Sequence, residues 1–166
     1  MNFHELNFHE FAFAGGVGRM RFKFCPADVA DKFWDVLSPY VSRVIEKACH
    51  GEFTEDNIRQ LVRLGNVVLG VGEKNGEIAM VVGVESVYYP NASAVNVLAM
   101  AGRGVDEFMR DILPRFAYWL RGKGVDWIEC SVSPGMERIH KRYGFETVYR
   151  NMRYGLKEKN VTTNQI

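Results

Sequence analysis

The chain has 166 residues, with 21 Lys plus Arg against 20 Asp plus Glu, a formal net charge of +1 and 47 % apolar residues. That length suits one domain, and this apolar share with so little net charge excludes intrinsic disorder. No stretch approaches the roughly 18 apolar residues of a membrane span, and near-neutral charge argues against a general polyanion binder while leaving room for a local basic patch.

Residues 2–11 give the unit NFHEL/NFHEF twice. A period of five fits neither strand nor helix. His4, Glu5, His9 and Glu10 lack the H-E-x-x-H spacing that puts two imidazoles on one helical face, so no metal site is expected. These residues also interrupt any signal-peptide core. Cys25, Cys49 and Cys130 stand far apart, and an odd count is no disulfide framework. We therefore expect a reduced, cytoplasmic compartment. Gly15, Gly16 and Gly18 form a joint, so residues 1–19 read as an N-terminal extension, 20–156 as the domain and 157–166 as a polar tail.

Arg19 to Phe24 alternates charged and apolar residues and reads as a half-buried strand. Val29, Phe33, Val36, Leu37, Tyr40, Val41, Val44 and Ile45 follow helical spacing, with Pro39 expected to kink or split that helix. Thr54 is a candidate N-cap for the next helix, with Glu55 and Asp56 in its first turn. Val67–Glu73 and Glu77–Tyr89 flank Asn75-Gly76, the strongest short hairpin signal. Ala94–Met100 is a further apolar strand.

Gly102-Arg103-Gly104 follows at once, before a long helix whose apolar face runs from Val105 to Leu120 and which Pro114 interrupts. Val125–Val132 is rich in β-formers. Ser133-Pro134 reads as a cap plus first-turn proline for a short helix ending at Gly144. Residues 145–156 read as the last strand. The order predicts an α/β (α+β) domain: a mixed, mostly antiparallel sheet with helices on both faces.

Strand–Gly-Arg-Gly–helix is the joint that points to chemistry. Its glycines can turn N–H groups toward one point, and the helix N-terminus adds positive dipole, which suits a pyrophosphate. A tight turn would want glycine too. Asp106 and Glu107 compete with an anion for that dipole. Between Ser133 and Lys159 seven bases stand against three acids, which suits a phosphorylated ligand, nucleic acid or a solvated helix face.

Ala99-Met100-Ala101-Gly102-Arg103-Gly104, followed by strand, short helix, Gly144-Phe145 and a final segment, resembles the GCN5-related N-acetyltransferase (GNAT) superfamily over residues 20–156. Its loop reads [Q/R]-x-x-G-x-[G/A]. Both glycines match, and Ala99 replaces the first residue. The chain looks most similar to small GNAT-like proteins of tailed phages. The resemblance implies acetyl-CoA or another acyl-CoA as co-substrate. Val97, Leu98 and Ala99 would hold the pantetheine arm between two parted strands, and Gly102, Arg103, Gly104 and Val105 the pyrophosphate, with Ser133, Arg138, Lys141 and Arg142 nearby. Active members often carry Tyr and Asn where this chain has His140 and Ser133.

His140 is the first candidate for the general acid, set against a partly exposed histidine on a basic helix beside Arg138, Lys141 and Arg142. Tyr143 is the second, set against core packing. Glu85 and Glu129 are candidate bases, carboxylates inside apolar strands, set against simple alternation. Cys130 should point to the apolar side. The implied activity is N-acylation of a small-molecule or peptide amine by a monomer or homodimer without membrane contact. A catalytically silent GNAT-shaped binding or virion-associated protein, and a nucleic-acid-directed member, stay open.

Overall fold

The computed structural model describes residues 18–156. The repeat in residues 2–11 and the expected tail at 157–166 lie outside them. Five strands form one sheet in the order β1 (Arg21–Phe24), β2 (Val67–Lys74), β3 (Glu77–Tyr89), β4 (Ala92–Gly102) and β5 (Trp127–Cys130). The first four are antiparallel neighbours, and β4 and β5 are parallel. The expected mixed, mostly antiparallel sheet is present.

Helices cover both faces. On one, α1 (Ala27–Lys32), α2 (Trp34–Ala48) and α3 (Glu55–Arg63) bury Trp34, Leu37, Val41, Ile58 and Val62 against Val67, Leu69, Val71 and Val81. On the other, α4 (Val105–Glu107), a π-helical turn (Phe108–Ile112) and α5 (Leu113–Gly122) run on as one helical segment. It packs Phe108, Ile112, Phe116 and Leu120 on Met20, Phe22, Val82, Val84 and Val95. α6 (Pro134–Arg142) follows β5.

Local chemistry explains most boundaries. Asn75 and Gly76 take φ of 54° and 79° at the β2–β3 turn, as a two-residue hairpin requires. Thr54 caps α3 in a reciprocal capping box with Asn57. Pro114 cannot donate to the preceding turn, and the π-helical turn lies just before it.

Three expectations need correction. The first helix breaks at Phe33, and α2 runs through Pro39. The carbonyl of Phe33 accepts from both Val36 and Leu37 N–H, so the proline sits in a helix already restarted. The last two strands are shorter than their composition suggests. β5 spans only Trp127–Cys130. Residues 145–156 form no strand at all, and all but Phe145 are exposed. β-propensity is satisfied only where a partner strand supplies the ladder, and none pairs with this segment among the described residues.

Candidate functional site

The strand register shows where the expected fork would open. β4 and β5 pair from Ala94↔Trp127 to Val97↔Cys130, where the ladder and β5 end. β4 continues to Gly102 beside β3 alone among the described residues. The last paired position and Gly102 are about 17 Å apart along the strand at ~3.3 Å per residue. A bulge marks that end: Val84 faces Val97 and Gly83 faces Ala99, so Leu98 is the extra residue. A bulge re-aims backbone groups locally.

At the far end, Gly104 caps the helix with φ 86°. An L-residue there would be strained, and a Cβ would come within 2.7 Å of Met20 Cε. A Cβ on Gly102 would meet Ala79 O at 2.2 Å. The Arg103 N–H donates to that same carbonyl at 2.7 Å, and its side chain is 83 % exposed. The first helical bond runs from the Phe108 N–H to the Gly104 carbonyl, which leaves the N–H groups of Gly104, Val105, Asp106 and Glu107 without an intrahelical acceptor.

Two acids that could repel an anion here have other partners. Glu107 accepts from Met20 N at 2.7 Å and from Lys74 Nζ at 2.8 Å. Burial pushes its carboxyl up, but these two donors outweigh it and hold it below the usual range. Asp106 accepts from the Tyr143 hydroxyl at 2.9 Å and lies 3.9 Å from the Arg142 guanidinium. That bond raises the Tyr143 phenol above its ordinary value.

The candidate acids are thus placed differently. Tyr143 lies at the glycine-loop end of β4, bonded to Asp106. His140 is buried, its ring 5.0 Å from Phe145, not the partly exposed histidine of a basic helix that the sequence allowed. Its Nδ1 is 2.9 Å from the Met136 carbonyl. A carbonyl can only accept, so Nδ1 carries a proton, and in the neutral ring Nε2 holds the lone pair. Of the basic residues on α6, Arg138, Lys141 and Arg142 are all exposed, and Lys141 reaches Glu137 at 2.8 Å. Ser133 caps α6.

Glu85 and Glu129 come together. Glu85 pairs with Asn96 and Asn96 with Glu129 across β3, β4 and β5, so the three side chains share one face of the sheet. Asn96 Nδ2 donates to Glu85 Oε1 at 2.7 Å. Glu129 accepts from the Tyr89 hydroxyl at 2.9 and 3.0 Å and from Trp127 Nε1 at 2.7 Å. The Tyr89 and Trp127 rings are 5.6 Å apart and half exposed. This row lies one residue before the fork opens. Asn96, Tyr89 and Trp127 are not among the residues the sequence points to; an asparagine inside an apolar strand was the available signal. Burial pushes the Cys130 thiol up to about 11, as suits a structural cysteine.

No family model and no curated protein matches the chain. Solved structures do match. An aminoglycoside acetyltransferase from an uncultured soil metagenomic sample, in complex with sisomicin, aligns at TM-score 0.60 and 11 % identity over 83 % of this chain and 97 % of that one. The fold is that of the GNAT acetyltransferases. The aminoglycoside N-acetyltransferase AAC(6′)-Iy in complex with CoA aligns at 0.59 and 13 % identity, over 86 % and 98 % of the two chains. A predicted acetyltransferase from Clostridium acetobutylicum with acetyl-CoA gives 0.59 and 13 %, over 82 % and 96 %.

Proposed function

We propose that the chain is an acyl-CoA-dependent N-acyltransferase with acetyl-CoA as donor and a small-molecule or peptide amine as acceptor. The end of the β4–β5 ladder at Val97 and Cys130 carries this reading. It leaves a β4 edge open to an extended chain and ends at a left-handed glycine on a helix start. The fold neighbours crystallised with CoA or acetyl-CoA support the donor.

In this reading the edge from Val97 to Ala99 orients the pantetheine arm. Gly102, Gly104 and Val105 receive the pyrophosphate through backbone N–H groups and the helix dipole. Arg103, Ser133, Arg138, Lys141 and Arg142 stand at its rim. The amine nitrogen attacks the thioester carbonyl, the C–N bond forms, the C–S bond breaks, and the thiolate takes up a proton from solvent water. The displaced backbone at Leu98 is placed to polarise the carbonyl. Glu129 and Glu85 are placed to receive the amine's proton, directly or through a water. Tyr89 and Trp127 offer ring faces to a cationic acceptor.

Kinship with tailed-phage proteins and a cytoplasmic location rest on the sequence features alone. The extension at 1–19 and tail at 157–166 are assigned no part in the chemistry.

Calorimetric titration with acetyl-CoA, followed by an amine screen read by thiol release, tests the proposal. Stoichiometric binding and turnover are expected. Binding without turnover over a broad amine panel favours the silent GNAT-shaped protein. No binding at all sinks the acyltransferase and leaves the silent GNAT-shaped protein.

A further inference from the structure

We propose that a void between α2 and the sheet receives the end of the donor's acyl chain, and that Gly83 sets its length, so that the site takes propionyl as well as acetyl groups. The inference rests on the acyl-CoA reading above and deepens it by naming the acyl chain.

α2 and the sheet do not close completely on each other. Tyr40 and Val44 from α2, Leu69 from β2, Gly83 from β3, and Leu98 and Ala99 from β4 surround a void in which the centre of a water-sized group has about 10 Å³ of room. That is space for about one such group. The lining side chains are apolar except for the Tyr40 phenol, whose hydroxyl donates to the Ile78 carbonyl at 2.7 Å. A space without polar partners stays dry and suits hydrocarbon.

Glycine keeps this space open. A Cβ on Gly70 would come within 2.2 Å of Phe22, and one on Gly72 within 2.8 Å of Met20, so neighbouring side chains already fill the room that those two β2 glycines leave. Gly83 differs. A Cβ there would meet the side chains of Leu69, Ala99 and Val67 at 3.4 to 3.6 Å, which is ordinary contact, and its φ is not in the left-handed region. Packing and backbone both admit alanine, and glycine weakens a strand interior. What the glycine preserves is room. Its cross-strand partner is Ala99, so two of the smallest residues face each other beside the bulge.

The position matches the chemistry. Leu98 and Ala99 both line the void, and the backbone at Leu98 is the part placed to polarise the thioester carbonyl. Glu85 stands two residues from Gly83 on β3, on the same face of the sheet. The amine therefore approaches from the carboxylate side, and the acyl chain points away from it along the sheet. A methyl bonded to the carbonyl carbon stays beside β4. Gly83 lies one strand spacing further, about 4.8 Å, where the next carbon of a propionyl group reaches.

The experiment is calorimetric titration of the full chain with CoA, acetyl-CoA, propionyl-CoA and butyryl-CoA, for wild type, Gly83→Ala and Val44→Ala, with circular dichroism to check folding. Wild type should bind propionyl-CoA at least as tightly as acetyl-CoA, and butyryl-CoA at least ~10-fold more weakly. Gly83→Ala fills the void by one methyl and should lower the propionyl-to-acetyl affinity ratio at least ~10-fold, the scale of one methylene in an apolar pocket. Val44 is half-buried; Val44→Ala enlarges the void and should bring butyryl-CoA within about threefold of propionyl-CoA. Wild type that binds acetyl-CoA but holds propionyl-CoA tenfold more weakly overturns the inference and leaves the acyltransferase reading standing. So does a ratio that folded Gly83→Ala leaves unchanged. A protein that binds neither CoA nor any of the three thioesters overturns that reading, and this inference with it.

Discussion

The backbone N–H of Met20 donates to Glu107 Oε1 at 2.7 Å across 87 residues of sequence. It joins the entrance of the sheet to the first turn of the helix that follows the glycine loop. Lys74 closes the contact from the β2–β3 hairpin at 2.8 Å. One carboxylate therefore holds three elements around the candidate anion site.

Glu107 makes stability acid-sensitive. Its folded pKa is depressed, so its contribution is complete above the unfolded carboxylate value and is lost as pH falls through the folded one. Glu107→Gln should lower unfolding free energy at neutral pH by about 1–3 kcal/mol, the scale of hydrogen bonds to a charged group. The difference from wild type should shrink below about pH 4. Urea melts at several pH values check this; a constant difference down to pH 3 would remove the carboxylate from the account.

The glycine loop should separate backbone from charge. Gly104→Ala forces an L-residue to φ 86° against Met20, a strain of roughly 1–3 kcal/mol. It should weaken acetyl-CoA binding more than tenfold in protein that circular dichroism shows folded. Arg103→Ala removes a side chain that is 83 % exposed and should weaken binding only about threefold. The reverse order would mean that the side chain, not the N–H groups, meets the phosphates.

Tyr143 should act on binding and not on the chemical step. Its hydroxyl is committed to Asp106, in the first turn after the glycine loop. Tyr143→Phe should raise the acetyl-CoA KM and leave kcat within about twofold. A kcat loss of ~100-fold, the scale of a lost general acid, would instead identify the phenol as the proton donor.

Glu129 should outweigh Glu85. It holds two aromatic donors at once, and Glu85 holds one amide. Glu129→Gln should cut kcat/KM for amine acceptors by ~100-fold or more. Glu85→Gln should shift KM for the acceptor. Equal, small effects from both would make the row a structural one.

Much of the fold is legible in the amino-acid sequence. The hairpin at Asn75-Gly76, the cap at Thr54, the glycine loop and the order of strands and helices all follow from local rules. Turn dihedrals, capping bonds and apolar periods act over a few neighbouring residues, so the residues themselves settle them. The α/β class follows from their order.

Long-range contacts settle the rest. Leu98 is a bulge because β3 and β4 differ by one residue in register. Glu85, Asn96 and Glu129 form a row because three strands stack them, and His140 is buried because Phe145 folds back on it. Residues 145–156 have every local mark of a strand and still are not one. A strand needs hydrogen-bond partners on a neighbouring backbone, and no local rule says whether the chain brings one within reach.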